Sequence, residues 1–214
     1  MRINILMIAA ILAAGISSMI FAEDRTAPAL KNRLVIKYGL DSNGFQNYPS
    51  TSTGTITNLG TSSAGVDLGS SILMEFQHPL SEMLSIGVGA TYNLNRNISG
   101  TSAQFSFLPV YATASLFPFG NVPGIAPYAK VDLGYNVAYT GNDQYKWNSP
   151  FQTALTGGMY WGIGAGARIL NTIFADIMFT SYSGTYQVTL GPLSTQAAVL
   201  YTKVSLNAGI GFDL

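Results

Sequence analysis

The fold that this sequence predicts is a closed, antiparallel β-barrel of eight strands, apolar toward lipid and polar toward its lumen. Three observations carry it. The first is the stretch 203–214, where Val204, Leu206, Ala208, Ile210, Phe212 and Leu214 share one face. Lys203, Ser205, Asn207, Gly209, Gly211 and Asp213 share the other. A soluble strand buries its apolar face against a second layer, whereas a transmembrane barrel strand shows that face to lipid. The second is composition: 9% of the 214 residues are charged, beside 23 Gly, 12 Tyr and 11 Phe. No apolar run after residue 22 approaches the roughly 20 residues a spanning helix requires, so the low charge points to strands. The third is the rhythm of the connections, long and short in alternation, which suits an up-and-down barrel with long loops at one end and tight turns at the other.

Residues 1–22 read as a secretory signal, leaving 23–214 as the barrel domain. Arg2 supplies the positive end, Ile3 to Ile16 the apolar stretch, and 17–22 a cleavage region before Glu23-Asp24. The chain has ten basic and ten acidic residues, and losing Arg2 leaves it near neutral, which argues against nucleic acid as a partner. The absence of cysteine excludes a disulfide scaffold, a thiol nucleophile and a cysteine lipid anchor.

Alternation marks eight segments, at 30–40, 65–77, 83–94, 104–117, 125–137, 155–169, 173–181 and 198–214. Most exceed the 9–11 residues that a tilted strand needs to cross a bilayer. Between them, 41–64, 95–103, 138–154 and 182–197 read as long loops rich in Ser, Thr, Asn and Gly. The connections 78–82, 118–124 and 170–172 are short, with Pro79, Pro118, Gly120, Asn121, Pro123 and Asn171 as turn residues. An even strand number closes the sheet and leaves no edge in lipid. Parity sharpens the expectation. Lys37, Asp67, Glu75, Lys130, Asp132, Arg168, Asp176, Lys203 and Asp213 all fall on the face opposite the apolar one, as they must where a mid-bilayer charge costs a few kcal/mol.

Three stretches resemble segments that recur in the small outer-membrane β-barrel superfamily, the OmpA/OmpX-like eight-stranded barrels: Phe107-Leu108-Pro109-Val110-Tyr111, Pro127-Tyr128, and the run from Gly157 to Gly166. The ending Asn207, Gly209, Phe212, Leu214 is similar to the C-terminal assembly signal of such proteins, with the usual terminal aromatic two places early. The resemblance covers 30–214. It implies an integral, multi-pass barrel of the bacterial outer membrane with periplasmic termini, met by outer-membrane lipid, lipopolysaccharide and the barrel assembly machinery. About activity it implies little, because this fold carries its functions on its loops. A soluble lipocalin-like barrel, the competing fold, would need the opposite sense of inside and outside.

Gly162-Ile163-Gly164-Ala165-Gly166-Ala167 matches the loose dinucleotide pattern, but it lies within a strand, and Asp176 follows too soon for the ribose carboxylate. Its glycines read instead as inward spacers. His78, the one histidine, falls beside Pro79 at a short periplasmic turn, and without cysteine no transition-metal site is expected. Neither a cofactor nor an enzymatic activity is expected. Arg168, Asp176 and Lys203 form the expected lumen charge cluster, with Asp176 shared between the two cations. Tyr139, Tyr145, Trp147 and Phe151 crowd the third long loop, as an interfacial girdle or as the contact set for a host or envelope protein. The remaining loop charges are Asp41, Arg96, Asp143 and Lys146. The expected role is structural or surface-interacting, as a monomer. The alternatives are a narrow channel for ions or small apolar molecules and, behind it, a lipid-modifying enzyme.

Overall fold

The computed structural model describes residues 31–42, 44–51, 59–120, 124–146 and 150–214, with backbone alone at 48–51 and 59–62. The expected signal segment 1–22 and Trp147 lie outside the described residues. Among the described residues there are eleven strands: β1 (Arg33–Asp41), β2 (Gly44–Thr51), β3 (Leu59–Val66), β4 (Gly69–Pro79), β5 (Leu84–Asn93), β6 (Arg96–Asn97), β7 (Gln104–Leu116), β8 (Ile125–Gly141), β9 (Gln152–Ile169), β10 (Ile173–Leu190) and β11 (Leu193–Asp213). Eight of them close a ring in the order β1-β4-β5-β7-β8-β9-β10-β11, and β11 pairs back onto β1. The closing pair runs antiparallel from Arg33 opposite Asp213 to Asp41 opposite Ser205. Gly209 sits in that seam because a Cβ there would come within 2.0 Å of the Ile36 carbonyl oxygen. Phe212 lies opposite Leu34 on the outer face, and the Leu214 N–H donates to the Asn32 carbonyl at 2.8 Å.

Each ring strand overlaps one of the eight alternating segments, and the outer face is the apolar one. Ile36, Met74, Val131, Ile163, Ile177 and Leu206 are all exposed, at 39–59%. Tyr38, Tyr92, Tyr135, Trp161 and Phe179 add outward aromatics toward the loop end, the girdle expected at a membrane interface.

The loops are shorter than the sequence predicts, because strands run through them. β10 and β11 stay paired from Ile173 opposite Ile210 to Leu190 opposite Leu193, so the expected loop 182–197 is a strand extension turned by Gly191-Pro192. Gly191 takes φ 55°, a left-handed value that favours glycine. The expected loop 41–64 contains the β2–β3 hairpin, whose Phe45–Asn47 pair with Leu200–Thr202 and so continue the wall above β1. β8 continues to Gly141 and β9 starts at Gln152, which shortens the third loop from both ends.

Along these extensions the two faces exchange character. Outward from β10 point Ile173, Ile177 and Phe179 low down, and then Ser183, Thr185, Gln187 and Thr189. Inward point Phe174, Asp176 and Thr180, and then Tyr182, Tyr186 and Val188. β11 repeats the exchange, with Lys203, Ser205 and Asn207 inward below and Ala197, Val199 and Tyr201 inward above. The lower part of the wall is built for lipid outside. The upper part is an ordinary water-soluble sheet with its apolar side turned in, and it forms a cap on the barrel.

Candidate functional site

The lumen is filled, from the end that holds the C-terminus upward, by two charge layers and then by aromatic rings. In the lower layer, Lys37 Nζ donates to Asp176 Oδ2 at 2.6 Å and stands 3.6 Å from Glu75 Oε2. Lys130 bonds to Glu75 and lies 3.3 Å from Asp132 Oδ2. Tyr111 Oη and Gln77 Nε2 donate to Glu75 at 3.1 and 3.0 Å. Tyr128 Oη and Asn207 Nδ2 donate to Asp176 at 2.8 and 2.6 Å. The five charged side chains are at most 1% exposed. Buried charge persists only where partners replace the lost hydration; Lys37, Glu75, Lys130 and Asp176 each have more than one, and Asp132 has Lys130.

Gly162, Gly164 and Gly166 of β9 make room for this layer. They lie opposite Asp132, Lys130 and Tyr128 of β8, and opposite Thr180, Met178 and Asp176 of β10. A Cβ at Gly164 would stand 2.2 Å from the Ile177 carbonyl oxygen. The nucleotide-like pattern is therefore a spacing device inside the wall.

One step higher, Asp41 receives Arg96 and Lys203, the latter at 2.9 Å, and Lys203 also donates to Asn93 Oδ1 at 2.6 Å. The lower layer thus holds three carboxylates and two ammonium groups, while the upper holds two cations and one carboxylate. Each layer's excess faces the opposite excess next door, so the stack as a whole is neutral.

The expected trio is not brought together. Asp176 neutralises Lys37 instead of Arg168 and Lys203, and Lys203 belongs to the layer above it. Arg168 lies at the mouth beside the C-terminus, its guanidinium 4.7 Å from the centre of the Phe117 ring, and with Arg33, Glu82 and Asp213 it lines a cavity of about 170 Å³. Asp41 and Arg96, placed in loops by the sequence reading, are 2% exposed and complete the upper layer. Asp67 lies between strands and is exposed, accepting a hydrogen bond from Ser99 at 2.6 Å. Asp213 pairs with Arg33 at 2.6 Å at the rim. His78 Nδ1 is 2.7 Å from Asn32 Oδ1 at the end of β4, where it ties down the chain entering the barrel.

Above the charges the lumen closes on rings. Phe107 stacks on Tyr139 with centroids 4.3 Å apart, and its ring is 5.6 Å from Tyr182 and 6.4 Å from Tyr201. β7 and β11 stand four places apart in a ring of eight, so the Phe107–Tyr201 and Phe105–Tyr201 contacts, the latter at 5.2 Å, span the full width of the barrel. Tyr145, from the loop after β8, enters this cluster. Its hydroxyl meets that of Tyr139 and accepts from Gln46 Nε2, and its carbonyl accepts from Tyr186 Oη at 2.9 Å. Burial pushes its phenol well above the ordinary value, so the hydroxyl keeps its proton. Tyr139 and Tyr145 are 5% and 7% exposed, and Phe151 packs against the same cluster. The described aromatics of the third loop therefore face inward as the core of the cap, and none of them is presented as a contact set.

Ring closure, the outward apolar belt and a packed polar interior together define an eight-stranded transmembrane barrel of the outer-membrane type. Two solved structures share this fold. The outer membrane protein OprG from Pseudomonas aeruginosa is 13% identical with a TM-score of 0.54, over 89% of this chain and all of that one. The outer membrane protein AlkL, solved in lipid bilayers, is 14% identical with a TM-score of 0.53, over 90% of this chain and 95% of that one. No family model and no curated protein matches the chain.

Proposed function

We propose that the protein is a closed, monomeric barrel integral to a Gram-negative-type outer membrane. It works without catalysis, and its role in envelope integrity or surface contact is carried by the wall and the extracellular hairpins rather than by a conducting lumen. One observation supports this above the others: side chains from opposite walls touch, both in the aromatic cap and below it, where Lys203 on β11 reaches Asn93 on β5. An ion would have to pass two buried layers of paired charges and then part the stacked rings. Eight-stranded barrels with interiors filled in this way hold their shape rather than a water column.

The test is a planar-bilayer recording from refolded, full-length protein. The expected trace is flat, with no stable steps under either polarity. Reproducible single-channel steps that scale with salt concentration would overturn this reading in favour of the narrow transporter. Incubation with radiolabelled lipid A should return the lipid unmodified, and the appearance of a deacylated or acylated product would assign the protein to the lipid-modifying enzymes.

A further inference from the structure

We infer that the outer face of the cap, on β9, β10 and β11, is a contact surface for the uncharged saccharide of an outer-leaflet glycolipid. The inference rests on the outer-membrane reading above. The surface is a flat ladder whose rungs follow from the strand register. Gln152, Thr189 and Ser194 lie side by side, and so do Ala154, Gln187 and Gln196.

Three features point to saccharide. The first is continuity. β10 and β11 pass from belt to ladder without a break in their pairing, so whatever stands above the acyl chains beside Ile177 and Phe179 stands against these rungs. The second is height. From Phe179 to Thr189 an antiparallel strand covers roughly 34 Å, which a tilt of about 40° reduces to roughly 25 Å. A phospholipid headgroup layer is only about 5–8 Å deep and reaches no further than the lowest rungs.

The third is charge. Residues 177–202 contain no Asp, Glu, Lys or Arg, and neither do 147–167. A water-facing surface of that size carries charges at about a quarter to a third of its positions. Among the described residues Lys146 is the one exposed basic side chain on this side, so a cationic cluster for lipid phosphates is missing here. Beside Ala154, Ala198 and Leu200, the ladder offers short hydroxyls and amides, which both donate and accept, as sugar hydroxyls require. Gln187 Nε2 already donates to Ser194 Oγ at 2.8 Å, which holds both groups in place on the surface.

The native chain has no cysteine, so single thiols can report cover directly. Full-length protein carrying Gln196→Cys, and separately Asp143→Cys as a reference away from the ladder, is folded into nanodiscs. The discs contain phospholipid alone, phospholipid with lipid A, or phospholipid with lipopolysaccharide bearing a dephosphorylated core. The expected result is a several-fold slowing of maleimide labelling at position 196 with the saccharide-bearing lipid alone, undiminished by high salt, and no change at position 143. Equal labelling of position 196 in all three discs overturns the inference. So does slowing that persists unchanged when Thr185→Glu and Gln187→Glu are added, because mere crowding by sugar would not sense the rungs. Failure of the protein to reach its heat-modifiable form in phospholipid discs would instead count against the barrel reading itself.

Discussion

The membrane-spanning half and the cap are made from the same strands with the same two-residue period, yet they are stabilised by opposite means. Below Phe179 the solvent is hydrocarbon, so apolar side chains gain nothing by turning inward, and the interior can be given to ions and hydroxyls. Above it the solvent is water, and Tyr182, Tyr186, Val188, Val199 and Tyr201 gather inside as the core of a soluble protein would. The lesson is that a β-strand carries no inherent inside. The medium decides which face is buried, and where the medium changes the sequence changes with it at fixed period.

That contrast can be broken from either side. The largest effect is expected from Glu75→Ala, which strips Lys130 of its bonded anion and Lys37 of its second one in a site closed to water. Losing one member of a buried pair costs about 3–5 kcal/mol. Urea titration of the heat-modifiable band should show it, and Glu75→Gln, which keeps an acceptor for Lys130 and Tyr111 without the charge, should lose less.

Phe107→Ala attacks the cap instead. It removes the ring that Phe105, Tyr139, Tyr182 and Tyr201 pack against, at a cost of about 3 kcal/mol. The damage should stay above the belt, with amide exchange accelerated at 182–201 and unchanged at 204–212. A uniform rise along β11 would show that the two halves unfold as one.

Tyr139→Phe keeps the ring and deletes the hydroxyl that meets Tyr145. About 1 kcal/mol is expected, read as faster exchange in the cap alone. Arg33→Ala is the mildest change. Its pair with Asp213 lies at the rim with the carboxylate side chain 44% exposed, so a shift under about 1 kcal/mol is expected in the same urea titration.

Much of the lower half was legible in the sequence because its rule is simple. Lys37, Glu75, Lys130, Asp132, Asp176 and Lys203 can be assigned inward from parity alone, and all six are buried. Their partners cannot be assigned that way. Lys37 and Asp176 sit on strands two places apart in the ring, and the side chains meet across the lumen at a height set by strand tilt, which no local pattern encodes. Asp176 therefore meets Lys37 and not the Arg168 and Lys203 that the sequence suggests.

The cap was misread for a different reason. Its alternation continues in Tyr182, Tyr186 and Val188 and in Ala197, Val199 and Tyr201, but on β10 polar residues now occupy the positions that carried the lipid-facing pattern below, and on β11 only Ala198 and Leu200 interrupt them. The stretch therefore looks like a polar loop to a search for lipid-facing strands. A two-residue Gly191-Pro192 turn between two such runs was the available signal. Asp41 shares the parity of Lys37 and could have been placed inside with it. Arg96 lies beyond a break in β5 and offers no such clue.

The exchange of faces near Phe179 and Thr202 also fixes how deep the molecule rides. Raising the barrel by two residues would lift a circle of apolar side chains into water, at about 1.5–3 kcal/mol for each one laid bare. Sinking it by the same amount would drag Thr185 and Thr202 toward hydrocarbon and bring the cap's outer hydroxyls beneath the waterline. Displacement in either direction is opposed around the rim by many small penalties that add. The vertical position is thus a stable equilibrium of the wall itself, held without any charged anchor on the described outer surface above the belt from β9 to β11.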